Sequence, residues 1–268
     1  MWIKTKKNIL LIVLTLFLSS FTLVACGNST NTAKQEANNS QQNVNSLFEK
    51  AQNLFDDDKP QEAYNILNRL AEQGDAKSQN ALGNGYQHGF WGEIDLKQAK
   101  YWYQKAADQN YAGGIHNLGM LEFLQGNYKQ ALPYFEKGAS LKSSESMTLL
   151  GMYYSEGIIF EQDYKKALEY FSKAIDVDAD NASALFNIGQ AYYYGEGVGQ
   201  DYNKAFAWYV KSANQDYSLA QIQLAEMYFS GQAVPKNVKK AIEIIKPLAD
   251  LGDPKAQQNL KWYVDHPN

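Results

Sequence analysis

The chain has 268 residues, 45% hydrophobic and 20% charged, a balance that fits one or two folded domains and excludes wholesale disorder. A single cysteine excludes an intramolecular disulfide framework and any cysteine-based zinc finger. The net charge of −4 offers no basic surface for a nucleic-acid backbone.

Residues 1–8 carry Lys4, Lys6 and Lys7 and no acid, and the run ILLIVLTLFL follows from Ile9 to Leu18. An apolar stretch of this length matches the core of a secretory leader and falls short of a comfortable membrane span of about 20 residues. The run closes on Leu23-Val24-Ala25-Cys26, which resembles a bacterial lipobox. That resemblance implies cleavage before Cys26, with residues 1–25 as leader, and acylation of the Cys26 thiol with fatty acid. Two or three acyl chains would hold the protein at a membrane, each buried CH₂ contributing about 0.8 kcal/mol. Gly27 stands where an aspartate would favour retention at the inner membrane, so the resemblance implies the outer membrane, facing the periplasm. Without the leader the chain keeps 22 basic and 29 acidic side chains, or −7.

Residues 27–43 (GNSTNTAKQEANNSQQN) carry almost no large apolar side chain. With so little to bury, the segment is expected to be a disordered tether following the lipidated cysteine, domain 26–43 in all.

From residue 44 to 268 the chain repeats itself. Gly83, Gly119, Gly151, Gly189 and Ala225 occupy one slot at steps of 36, 32, 38 and 36. Tyr86, Tyr154, Tyr192 and Tyr228 follow three residues later; Ser78, Gly114, Ser146, Ala184 and Ala220 precede it by five. A second block begins at Ala99, Ala131, Ala167, Ala205 and Ala241. It continues into Trp102-Tyr103, Tyr134-Phe135, Tyr170-Phe171, Trp208-Tyr209 and Ile244-Ile245. Asp95, Asn127, Asp163, Asp201 and Asn237 stand four residues before those alanines, where a helix N-cap is wanted. Small residues let two helices approach closely, and the large aromatics are expected to fill the space between successive hairpins.

This pattern resembles the tetratricopeptide superfamily and its Sel-one-like branch, whose L-G-x-x-Y helix, glycine-containing loop and D-x-x-x-A-x-x-W-Y helix are nearly complete over residues 82–103 and 188–209. The resemblance implies an all-α, right-handed α-solenoid of helical hairpins. The expected repeats are about 44–74, 75–110, 111–142, 143–178, 179–216 and 217–252, with a cap helix at 253–268, where Lys261 takes the glycine slot. The loop of the third hairpin is four residues shorter.

Other motifs point to structure. Gly195-Glu-Gly-Val-Gly199 has no preceding strand and reads as a loop between two helices. Asp176, Asp178 and Asp180 have calcium-loop spacing, but Asn181 and Asn187 stand where glycine and glutamate are needed. His88, His116 and His266 are too far apart to pair on a metal, and no nucleophile elbow is present. We therefore expect no enzyme, metal, cofactor or small-molecule substrate.

What the resemblance leaves for function is the concave side, lined by the first helix of each hairpin. Its partner-binding candidates are His116, Met120, Phe123, Met152, Phe186, Gln190, Tyr193, Ile222, Glu226 and Phe229, with Trp262 in the cap. The same side chains are equally suited to packing between neighbouring first helices. Phe90 and Trp91, in the first long loop, form a second candidate patch or a plug. The expected function is a lipid-anchored scaffold or adaptor for a protein partner of unknown identity. The alternative is an immunity protein that occupies an antibacterial effector such as a phospholipase or cell-wall hydrolase.

Overall fold

The computed structural model describes the backbone of residues 30–267 and the side chains from Ser40 onward; the leader at 1–25 and Cys26 lie outside the described residues. Thirteen helices are found among the described residues. They are α1 (Thr30–Asp56), α2 (Pro60–Glu72), α3 (Ala76–His88), α4 (Leu96–Asp108), α5 (Ala112–Leu124), α6 (Tyr128–Ser140) and α7 (Ser144–Ser155). There follow α8 (Tyr164–Val177), α9 (Ala182–Tyr194), α10 (Tyr202–Ala213), α11 (Ser218–Ser230), α12 (Val238–Asp250) and α13 (Pro254–Asp265). Successive helices pair as hairpins of the solenoid type. One compact unit ends at Tyr111 and holds α1–α4; a second begins at Ala112 and holds α5–α13.

Local sequence sets where the helices start. The Asp95 carboxylate accepts from the backbone N–H groups of Lys97 and Gln98, Asp163 from Lys166, Asp201 from Lys204, and the Asn237 side chain from Lys240. Each satisfies a donor that the first turn leaves open. First helices are capped in the same way by Asp75, Ser143, Asn181 and Asp253. Asn127 departs from the expectation. The short connection makes its backbone N–H close the last turn of α5 on the Glu122 carbonyl, and its side-chain amide donates to the Glu122 carboxylate at 3.0 Å rather than capping α6.

The tether is also corrected, because residues 30–43 continue α1 as helix. The packed half of α1, with Phe48 and Ala51 buried, supplies the nucleus. Extension from an existing nucleus adds one hydrogen bond for each residue fixed, and Ala33, Lys34, Gln35, Glu36 and Ala37 are all good helix formers.

The glycine slots admit one ring each. A Cβ on Gly189 would stand 2.7 Å from the Tyr209 ring, and one on Gly119 would stand 2.6 Å from Phe135; Gly83 meets Tyr103 and Gly151 meets Phe171 in the same way. Where the slot holds alanine the opposing residue is aliphatic: Ala51 shares a cluster with Leu67, and Ala225 with Ile245. The second member of each aromatic pair thus lies on the glycine of its own hairpin. Only the first member reaches back: Trp102, Tyr170, Trp208 and Ile244 join clusters built on the preceding hairpin. The sequence expectation had assigned both rings to that gap, and the structure divides them.

Gly195 ends α9 in the left-handed region, and Gly197 (φ +74°) lies against the start of α8, where a Cβ would come within 2.8 Å of the Tyr164 carbonyl. Its loop therefore serves packing between hairpins. Asp180 accepts from the Gln215 side chain at 3.0 Å and Asn181 caps α9, so part of the aspartate-rich turn is committed to holding two helices in register.

Candidate protein-binding face

Within the second unit, the first helices α5, α7, α9, α11 and α13 touch one another in sequence. His116 of α5 meets Ser146 of α7, the Nδ1 and Oγ atoms 3.3 Å apart, and the Phe123 ring lies 5.9 Å from Tyr153. Thr148 of α7 donates to the Asn181 cap of α9, at 3.4 Å. The Tyr193 hydroxyl at the end of α9 donates to the side-chain carbonyl of Gln232, just past α11, at 2.9 Å. Phe229 of α11 stacks on Tyr263 of α13 at 4.3 Å.

The expected apolar stripe is not open along its length. Phe186 is 7% exposed and Ile222 3%. Phe186 lies between Tyr209 and Tyr217, and Ile222 packs in the cluster of Ala225, Ile245 and Tyr263. Both therefore leave the candidate set: each faces a flank of its helix that a neighbouring helix covers. Phe123, Tyr193 and Phe229 are half-buried, with ring partners on one side. Truncating Tyr193 or Phe229 would remove packed contacts as well as surface. Met120, Met152 and Gln190 are half-buried, and Glu226 is exposed.

Burial holds the His116 imidazole below its ordinary pKa, against the opposing pull of Glu145, so this ring is neutral near pH 7. Its position is fixed by Ser146 and by Phe135, whose ring lies 6.0 Å away. The Tyr209 hydroxyl is buried without a hydrogen-bond partner. Burial raises its pKa far above the tyrosine range, with Tyr194, Tyr193, Glu226 and Glu196 adding to the effect.

One surface residue was missed. Tyr194 is 55% exposed, 4.9 Å from Tyr193 in an edge-on pair. The run Tyr192-Tyr193-Tyr194 ahead of a loop was the available signal, since three consecutive helical positions cannot all face the core. Trp262 of the cap is 54% exposed and stacks on His266 at 3.6 Å.

The loop aromatics of the first unit are a plug. Phe90 is buried and Trp91 half-buried; Phe55 of α1 lies 5.0 Å from Phe90, and Tyr64 of α2 lies 5.6 Å from Trp91. The Trp91 indole N–H donates to the Leu82 carbonyl at 3.3 Å and lies where a side chain on Gly85 would otherwise go. In the same unit the Tyr103 hydroxyl bridges the side-chain amides of Asn84 and Gln87, at 2.7 and 2.8 Å. Among the described residues no group of three or more His, Cys, Asp and Glu side chains is placed to hold a metal, and no helix is long and apolar enough to cross a membrane.

Sequence comparison finds 29% identity over 169 residues with a putative sel1-like repeat-containing protein, L21, of Acanthamoeba polyphaga mimivirus, covering 63% of this chain and 24% of that protein. The Sel1-repeat-containing protein YjcO of Escherichia coli K12 is also 29% identical, over 65% of this chain and 78% of its own length. Among solved structures, a Sel1 repeat protein from Oxalobacter formigenes superposes with a TM-score of 0.64 at 28% identity, covering 80% of this chain and 86% of that one. A tetratricopeptide repeat model matches residues 161–194. The Sel1 repeat model matches five segments, 76–111, 114–143, 144–177, 182–217 and 218–253, each nearly one hairpin of the structure. These segments take in well over half of the sequence, and the chain belongs to the Sel1 repeat family.

Proposed function

We propose that this chain is a membrane-anchored scaffold that binds a protein partner on the first-helix face of its second unit. The observation that carries the reading is the division of labour within each hairpin. Second helices spend their aromatic pairs on their own glycine slot and on the preceding hairpin, while α7, α9 and α11 leave Met152, Gln190, Tyr194 and Glu226 at least partly in water. Sel1 repeat arrays are typically protein-binding scaffolds, which supports the same reading. The anchor in this reading is lipid on Cys26, with the repeats facing the periplasm from the outer membrane; the LVAC run and the single cysteine motivate it.

One experiment tests both parts. A photo-reactive residue at Gln190 in intact cells is expected to give a discrete protein adduct, and one at Lys211 on the second helix α10 is not. The adduct should travel with the membrane fraction and carry incorporated palmitate, and the label should be lost in Cys26→Ser. Equal adducts from Lys211, or a labelled Cys26→Ser protein, would overturn the corresponding part. Identification of the captured protein also decides the role: an envelope enzyme supports the scaffold, and an antibacterial effector replaces it with the immunity reading.

A further inference from the structure

The lysines of the second unit are segregated. Helices α5, α7, α9 and α11 contain no lysine or arginine and carry three glutamates, Glu122, Glu145 and Glu226. Their partners α6, α8, α10 and α12 carry all the lysines of the paired helices, and the ion pairs there, such as Lys240–Glu243 and Lys246–Asp250, are local to one helix. Negative charge on these four helices is thus not neutralised by lysines of the same helices; the next first helix, α13, carries Lys255 and Lys261. Two of its three glutamates are engaged by hydrogen bonds: Glu122 accepts from Asn127 and Glu145 from Ser143. Glu226 is exposed and has neither an ion pair nor a side-chain hydrogen bond among the described residues.

Aromatic residues stand near Glu226 along α11 and at the end of α9. Phe229 stands one turn on, stacked on Tyr263; the Tyr193 hydroxyl donates to the Gln232 side chain, which also contacts the Ser230 hydroxyl bonded to the Glu226 backbone carbonyl. Burial raises the pKa of Tyr193, Tyr209 and Tyr263, and the Glu226 charge adds to the effect at each. A cation already visits the rim: the Lys236 ammonium, from the loop after α11, lies 5.3 Å from the centre of the Phe229 ring. A carboxylate beside aromatic faces suits a lysine or arginine side chain, which gains Coulomb attraction from the first and quadrupole attraction from the second.

We propose that the partner engages this face through a basic segment, one of whose lysine or arginine side chains is received by Glu226 between Tyr193 and Phe229. The proposal rests on the protein-binding reading above and narrows it to a cationic partner surface.

The test uses the purified chain and three synthetic probes, Ac-(Lys-Ala)₅-NH₂, Ac-(Gln-Ala)₅-NH₂ and Ac-(Glu-Ala)₅-NH₂, titrated at low ionic strength where exposed charges are least screened. The lysine probe is expected to bind, perturbing backbone amide resonances of α9 and α11, and the other two to bind at least tenfold more weakly. Glu226→Gln should weaken the lysine probe at least threefold, and Glu243→Gln on α12 should leave it unchanged. Lys236→Gln removes the competing cation and should strengthen it, a gain that a misfolded variant cannot produce. Equal losses from Glu226→Gln and Glu243→Gln, or equal binding of the glutamate probe, would overturn the proposal. Failure of the two readings is separable in cells. Unchanged capture at Gln190 in a Glu226→Lys chain sinks the cation site alone, whereas no capture at Gln190 in the unaltered chain sinks the binding face itself.

Discussion

Gly189→Leu is expected to destabilise the second unit by about 3 kcal/mol or more, at the upper end of the usual overpacking cost. Even the first carbon of the new side chain would overlap the Tyr209 ring, which is fully buried and cannot swing out without leaving its own cluster. The milder change Gly189→Ala gains up to about 1 kcal/mol of helix propensity and still meets the ring. The chain itself indicates the remedy. Ala225 opposite Ile245 is the same slot with the bulk moved from one helix to the other. Pairing Gly189→Ala with Tyr209→Ile should therefore be less damaging than the sum of the two single changes, with a coupling of about 0.5–3 kcal/mol. Lys261→Leu in α13 should stay within about 0.5 kcal/mol, because that position is exposed. Urea unfolding midpoints of the five proteins check the set; equal losses at Gly189 and Lys261 would contradict the register.

Trp91→Ala is expected to cost the first unit about 3 kcal/mol, the lower end for emptying a tryptophan site. The indole packs against Phe55, Phe90 and Tyr64, and its N–H adds a hydrogen bond to the Leu82 carbonyl, so truncation leaves a cavity and removes that bond. Trp262→Ala, which removes an exposed ring stacked on a terminal histidine, should fall within about 0.5 kcal/mol. Thermal unfolding separates the two. A Trp91→Ala protein as stable as the parent would mean that the loop is a detachable surface feature.

Most of the fold was legible because its rules are local and repeated. The Asp and Asn caps, the small residues of the slot and the aromatic pairs recur at one spacing, and a hairpin needs little else to be recognised. Three things were not legible. Which ring of Trp208-Tyr209 meets Gly189 depends on the rotation of α10, and adjacent residues differ there by about a quarter turn. The helical state of residues 30–43 depends on a packed nucleus farther along α1, which composition does not reveal. The burial of Phe186 and Ile222 depends on how many sides of a first helix are covered. In Ser218-Leu-Ala-Gln-Ile-Gln-Leu-Ala-Glu-Met-Tyr-Phe-Ser230 apolar residues run nearly all the way round, a sign of covering on several sides. Repeat spacing puts Glu226 and Ile222 on one surface, yet Glu226 reaches solvent and Ile222, four residues earlier, is buried.

The central claim is that the first-helix layer of the second unit is the surface that a partner covers. The most direct measurement is backbone hydrogen exchange on the complex captured at Gln190, compared with the free chain. The account predicts slowed exchange concentrated in α7, α9 and α11 and the adjoining Gln232 segment, with α8, α10 and α12 unchanged. Protection confined to the second helices, or to the loops between hairpins, would contradict it.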